Sequence, residues 1–191
     1  MVPLVEKPKE VSPLKAFLNK MVVAYKTAWQ FLFSISMVFL ITFVLFPPVI
    51  TDTDIGFLAG IKNDSLRISW TILIFIFIFN LFDTIGRWLA GQTFGGLSDK
   101  AVLALTYLRV VFIATSYLID YEVGPTWFMR SDWFKLINMA LFAFTNGYCS
   151  TQCAVKSVVR APEHLKEVVG TYIGISITIG IVGGSLIALG T

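Results

Sequence analysis

The sequence predicts an all-α polytopic membrane protein with five transmembrane helices. Three observations carry that prediction. Of the 191 residues, 56% are hydrophobic and the mean hydropathy is +0.77. Only 14% are charged, against about 25% in an ordinary soluble domain. Five stretches are each apolar over the roughly 20 residues that a helix needs to cross a hydrocarbon core. A soluble fold of this length could not hide so much apolar surface, because a large share of any folded surface faces water.

Residues 1–27 read as a cytoplasmic lead-in, and its first twenty residues, with three prolines, as a polar linker. The first apolar run starts near Ala28, too late and too long for a cleaved signal segment. The transmembrane bundle is expected over 28–191, with spans at about 28–50, 68–90, 101–119, 133–155 and 168–189. Their β-branched and aromatic content would suit strands in water. In lipid, a helix satisfies its own backbone groups and is favoured.

Charge sets the expected orientation. Lys7, Lys9, Lys15, Lys20, Lys26, Lys100, Lys156, Arg160 and Lys166 fall on one side of the predicted bundle. The other side holds Lys62, Arg67, Arg130 and Lys135 beside Asp52, Asp54, Asp64, Asp120, Glu122 and Asp132. The positive-inside rule then puts the N-terminus in the cytoplasm and the C-terminus outside. An odd number of spans requires the ends to lie on opposite sides.

The first span ends in FPPV. Pro47 and Pro48 lack amide hydrogens and are expected to break or kink the helix. Phe46, just before them, reads as an interface aromatic or as a platform for a planar ring. The second span carries FNLFDTIGRWLAG, where Asn80, Asp83 and Arg87 fall at i, i+3 and i+7 on one helix face. Asp83 and Arg87 are four apart and can pair. A charge at membrane depth costs on the order of 3 kcal/mol by insertion scales, so such residues face a bundle interior or a watery path. The face offers donors and acceptors to a polar solute. The alternative is a structural pair, with Arg87 snorkelling to the interface.

Arg109, in the middle of the third span, needs a carboxylate or carbonyl partner. Asp83 is the one carboxylate inside a predicted span and the candidate partner. An interhelical strut is an equal reading for Arg109. The fourth span, with FAFTNGYCSTQC, places Asn146, Gly147, Tyr148, Ser150 and Gln152 among apolar residues, which suits close helix packing. Cys149 and Cys153 share a face, but the one histidine, His164, lies in a loop, so no metal site is expected. The fifth span has small residues four apart at Gly170 and Gly174, Ser176 and Gly180, and Gly180 and Gly184, a spacing for tight helix contact or sliding. No phosphate loop, activated nucleophile or carboxylate pair placed for hydrolysis appears. Neither an enzyme, a cofactor nor a nucleic-acid partner is expected.

At FNLFDTIGRWLAG the sequence resembles the equilibrative nucleoside transporter family. The likeness continues in order along the chain. FPPVI closes the first span, and LRVVFIATSYL follows the family's arginine and apolar run. FAFTNGY is similar to the motif FAFSNGY, and a basic loop with APEH leads to a glycine-rich last helix. The resemblance implies a major-facilitator-like carrier of eleven helices, six and then five, of which this chain resembles the last five. It implies facilitated transport of a nucleoside or nucleobase by alternating access, at the plasma membrane. Asn80, Asp83, Arg87 and Phe46 would contact the solute. Arg109, Asn146, Gly86 and Gly147 would be structural or gating positions. Where the family can place an aromatic one turn before the asparagine, this chain has Ile76. The expected partners are the solute, the lipid bilayer and an N-terminal six-helix half, which makes the chain part of a larger carrier. A proton-coupled carrier through Asp83 and a non-transporting membrane assembly subunit are the alternatives.

Overall fold

The computed structural model describes residues 12–53, 55–92, 96–120 and 131–190, without the side chains of 47–52 and 120. Six helices make up the described chain: α1 (Pro13–Asp52), α2 (Asp64–Ala90), α3 (Asp99–Leu108), α4 (Val111–Asp120), α5 (Asp132–Arg160) and α6 (Lys166–Ala188). Short 3₁₀ turns at Gly56–Leu58 and Glu163–Leu165 precede α2 and α6. The fold is all-α, as the sequence predicts.

Helix α1 begins well before the first apolar run. Ser12 accepts a hydrogen bond from the Lys15 amide, and Pro13 occupies the first turn, where its missing N–H costs nothing. Residues 13–27 are therefore helical. Ala24 and Ala28 of this extension pack with Leu165 and Val169, and Tyr172 donates to the Met21 carbonyl at 3.3 Å. At its other end α1 runs on through Pro47 and Pro48 to Asp52, so the expected break does not occur. Each proline frees one carbonyl a turn back, and only a single turn of helix remains beyond the pair. Membrane helices tolerate that loss where neighbours supply substitute partners. Of the charges in the orientation argument, Lys7, Lys9, Asp54, Glu122 and Arg130, and the side chains of Asp52 and Asp120, lie outside the description.

Among the described residues, four helical stretches are long and apolar enough to cross a membrane: Pro13–Phe46, Asp64–Ala90, Asp99–Ile119 and Glu163–Ala188. The third of these is α3 and α4 together. The sequence predicts one continuous helix there, but the helix is interrupted at Arg109 and Val110. The amides of Phe112 and Ile113 bond back to the carbonyls of Arg109 and Val110, three residues away, at 3.0 Å each. Helix α5, expected as the fourth span, has 29 residues, a length of about 43 Å, but is not apolar throughout. Asn146, Gly147, Ser150, Gln152, Cys153 and Ser157 are all buried, while Ile137, Leu141, Val155 and Val159 are exposed, so α5 turns a polar face inward and an apolar face outward.

Two glycine crossings hold the bundle. At Gly86 of α2, a Cβ would overlap the Phe144 carbonyl oxygen. At Gly147 of α5, a Cβ would overlap the Asp83 carbonyl oxygen and meet the Arg87 stem at 3.1 Å. The two backbones touch there, and no other residue fits. Helices α1 and α6 cross in the same manner at Gly180 and Gly184, against the backbone of Ser36 and Leu40, and Ser36 donates to the Ser176 carbonyl at 2.9 Å. The expected small-residue contact is thus made at Ser176, Gly180 and Gly184. Gly170 and Gly174 meet nothing.

The contrast gives a direct prediction. Gly147→Ala should lower the thermal unfolding midpoint in detergent, because overpacking costs about 1–3 kcal/mol. Gly170→Ala or Gly174→Ala should leave it level or raise it, by the roughly 0.5–1 kcal/mol that glycine costs inside a helix. A tryptophan-fluorescence melt of the three variants is the measurement.

Candidate functional site

The α2–α5 crossing brings four of the sequence-predicted residues into one hydrogen-bonded chain. It starts on the open face of α2. Arg87 donates from Nε to Asp83 Oδ2 at 2.7 Å, and from Nη2 to Oδ1 at 3.4 Å. The Arg87 side chain is 45% exposed and that of Asp83 is 13% exposed. Asp83 also accepts from Asn146 Nδ2, at 2.7 Å on Oδ1. Asn146 itself is buried. Its Oδ1 accepts from Thr42 Oγ1 at 2.7 Å and from Arg109 Nη2 at 3.4 Å.

Arg109 ends the chain, and its surroundings correct the expected partner. No ion pair joins it to Asp83 among the described residues. Its guanidinium is held by neutral oxygens: Nη1 donates to the Phe142 carbonyl at 2.9 Å and to Thr145 Oγ1 at 2.7 Å. Nη2 donates to Thr42 Oγ1 at 2.8 Å. The cation also lies 4.8 Å from the centre of the Phe142 ring, a favourable approach to the ring face. Arg109 is 1% exposed and ties the break between α3 and α4 to α1 and α5. Asp83 reaches it only through the Asn146 amide.

Amide orientation follows from the chemistry of its neighbours. A carboxylate only accepts and a guanidinium only donates. The Asn146 group facing Asp83 must therefore be NH₂, and the group facing Arg109 must be the oxygen. Thr42 and Thr145 are the members the sequence reading missed. Their signal was a hydroxyl inside an apolar run, but a lone threonine in a helix can also satisfy itself, and the Val38 carbonyl, 2.7 Å from Thr42 Oγ1, is the alternative acceptor for its one proton.

Asn80 lies on the exposed face of α2 with Arg87. Its amide donates to the Ile76 carbonyl at 2.8 Å, and Thr84 donates to the Asn80 carbonyl at 2.7 Å. Ile76, Phe77, Thr84 and Trp88 share the exposure of this face. Phe46 sits apart from it. Its ring packs on Phe79, with centroids 4.3 Å apart, and Phe79 leads on to Phe142 and Phe112. Phe46 thus lines an apolar crevice with Leu45, Phe75, Ile119 and Met139. It approaches the polar chain only through Phe79, the residue before Asn80.

The remaining polar groups of α5 serve packing. Gln152 donates to the Ala90 carbonyl at 2.7 Å, which caps the end of α2. Cys149 and Cys153 are buried free thiols, and no metal-binding cluster exists among the described residues. At the same end of the bundle, Asp99 pairs with Lys156 at 2.9 Å and with Arg160 at 2.6 Å, and Arg160 lies over the Phe31 ring. These pairs fasten the start of α3 to the end of α5.

Removing Arg109 should unfasten the bundle. Arg109→Met removes a donor that the Phe142 carbonyl, Thr145, Thr42 and Asn146 share, and each buried acceptor left unsatisfied costs about 1–3 kcal/mol. Monodisperse yield on size-exclusion chromatography should collapse. A maleimide should then label Cys149 and Cys153, which stay unlabelled in the intact protein.

Comparison with known proteins agrees with the resemblance seen in the motifs. A family model described as "Nucleoside transporter" matches residues 5–190. Equilibrative nucleoside transporter 4 of Danio rerio is 26% identical over 171 residues, which cover 90% of this chain and 31% of that protein. Equilibrative nucleoside transporter 1 of Rattus norvegicus is 27% identical over 168 residues, covering 85% and 36%. Nucleoside transporter 1.2 of Leishmania donovani is 28% identical over 173 residues, covering 87% and 32%. The chain spans about a third of the length of these relatives.

Proposed function

This chain belongs to the nucleoside transporter family, and from that premise we propose that it supplies one five-helix wall of a carrier for nucleosides or nucleobases. The observation that carries this reading is the exposed face of α2. An Arg87 side chain left 45% exposed on a membrane helix is costly against lipid and needs a polar surrounding. A second bundle enclosing a watery path provides one. The solute then meets Asn80, Asp83 and Arg87 from this side. A carboxylate beside a guanidinium offers an acceptor and a donor at one point, which suits neighbouring sugar hydroxyls. Phe46 and Phe79 add an aromatic surface for the base.

The carrier works by facilitated diffusion through alternating access, with this bundle rocking against an N-terminal six-helix half around the shared site. The N-terminus lies in the cytoplasm and the membrane is the plasma membrane. Lys15, Lys20, Lys26, Lys156, Arg160 and Lys166 gather at the ends of helices that this orientation places inside.

Uptake of labelled adenosine tests the reading in cells that express the chain alone and with a six-helix half from a relative. Uptake is expected in the paired arrangement. Its absence from both, with the protein shown to be at the membrane, overturns the reading. Asp83→Ala and Arg87→Ala should each weaken uptake at limiting solute about ten- to a hundredfold, the equivalent of a charged hydrogen bond of roughly 1.5–3 kcal/mol. Wild-type uptake in both variants removes these residues from the site.

A further inference from the structure

The face of α2 explains Asp83 and Arg87 but leaves a buried feature unused. Asn146 and Arg109 never reach the open face, yet they end on the same carboxylate. We propose that Asn146 is a positioning residue for Asp83, its amide locked in one orientation by the buried Arg109. The affinity of the solute face is then set from inside the bundle. The inference rests on the assignment of Asp83 to that face.

Four observations support it. First, Asn146 is buried while its Nδ2 lies 2.7 Å from Asp83 Oδ1. This contact fixes one carboxylate oxygen from behind, while Arg87 fixes the other from the side. Of about four acceptor positions on a carboxylate, the protein uses three. Second, the amide has no freedom to flip. Arg109 and Thr42 both present donors to its oxygen, and Asp83 presents only acceptors to its nitrogen. Third, the guanidinium that enforces this orientation has no carboxylate of its own. Among the described residues it is bound by neutral oxygens, and its Nε is buried without a partner. Its donors therefore polarise the Asn146 amide, whose NH₂ faces Asp83. Fourth, Arg109 sits at the interruption between α3 and α4, so the orientation of the amide depends on the geometry of that break.

A purely structural asparagine would hold helices together without tuning the carboxylate. Asn146→Asp separates the two roles. The new carboxyl keeps the acceptor that Arg109 and Thr42 need, so the bundle stays folded, but it sets an acid against Asp83 where a donor stood. The charged or titratable groups around this point are Asp83 and Arg87 from α2, Arg109 at the break, and Cys149 one turn along α5. α1 contributes only the neutral Thr42. Asp83 then has Arg87 as its one donor, and the inner contact is lost.

Adenosine binding is read as a thermal shift of the chain paired with a six-helix half in lipid nanodiscs. Asn146→Asp should bind about tenfold or more weakly than wild type, with its midpoint in the absence of adenosine held within a few degrees. Affinity equal to wild type overturns the proposal.

A second measurement needs no solute. The thermal midpoints of Asp83→Asn, Arg109→Gln and the double variant give a coupling between two residues that do not touch. That coupling should fall by more than half when the cycle is repeated in an Asn146→Ala background, or in Asn146→Leu where the alanine variant does not accumulate. An unchanged coupling overturns the proposal. If wild-type protein shows no adenosine shift while the coupling depends on Asn146, the failure belongs to the solute assignment and not to the positioning role.

Discussion

A guanidinium sealed inside a membrane bundle is the constraint to which much of this fold responds. Arg109 cannot shed its charge, and lipid offers it nothing. The chain meets the cost by converging neutral oxygens on it: a threonine from α1, a carbonyl, a threonine and an asparagine from α5, and the face of Phe142. Convergence of that kind requires helices to come close. It also favours an interruption in the arginine's own helix, where Arg109 and Val110 leave the regular ladder. The break, the inward polar face of α5 and the placing of Thr42 are linked consequences of one charge.

Close approach has its own requirement, which glycine meets. Gly86 and Gly147 let the backbones of α2 and α5 touch beside Asp83. Were either residue larger, the carboxylate would move away from the Asn146 amide, and a hydrogen bond of 2.7 Å does not survive an ångström of separation. The crossing therefore does more than pack helices. It sets the distance over which the buried cation and the exposed pair communicate. The α1–α6 crossing at Gly180 and Gly184 uses the same chemistry on a different side of the bundle, with no charged group beside it.

Much of this was legible in the sequence, and the failures share a cause. Hydrophobic runs mark helices in lipid because backbone satisfaction leaves no other choice, so the all-α class could be read directly. The face shared by Asn80, Asp83 and Arg87 follows from helix geometry alone. Contacts between helices are a different matter. Arg109 plainly needed partners, but sequence supplies only residue types, and the nearest carboxylate was the economical guess. The structure instead uses carbonyl and hydroxyl oxygens, which every span contains. Likewise, Pro47 and Pro48 announce lost hydrogen bonds but not whether the helix can bear them near its end. The residues before Ala28 are too polar to register as a span, yet Ser12, Pro13 and the alanines behind them carry the helix signals.

The most instructive case is α5. By composition it is the least convincing membrane helix, and it falls outside the four stretches that are apolar enough to cross on that ground alone. Its polar residues would be faults on a lipid-facing surface. Inside the bundle they help to answer a buried arginine, cap the end of α2 and hold a carboxylate in place. An apolar α5 would insert more readily but would leave Arg109 only the Phe142 carbonyl and Thr42, and Asp83 without its inner donor. The low hydropathy of this helix is thus the mark of its position. The helix most unlike lipid packs against every other described helix.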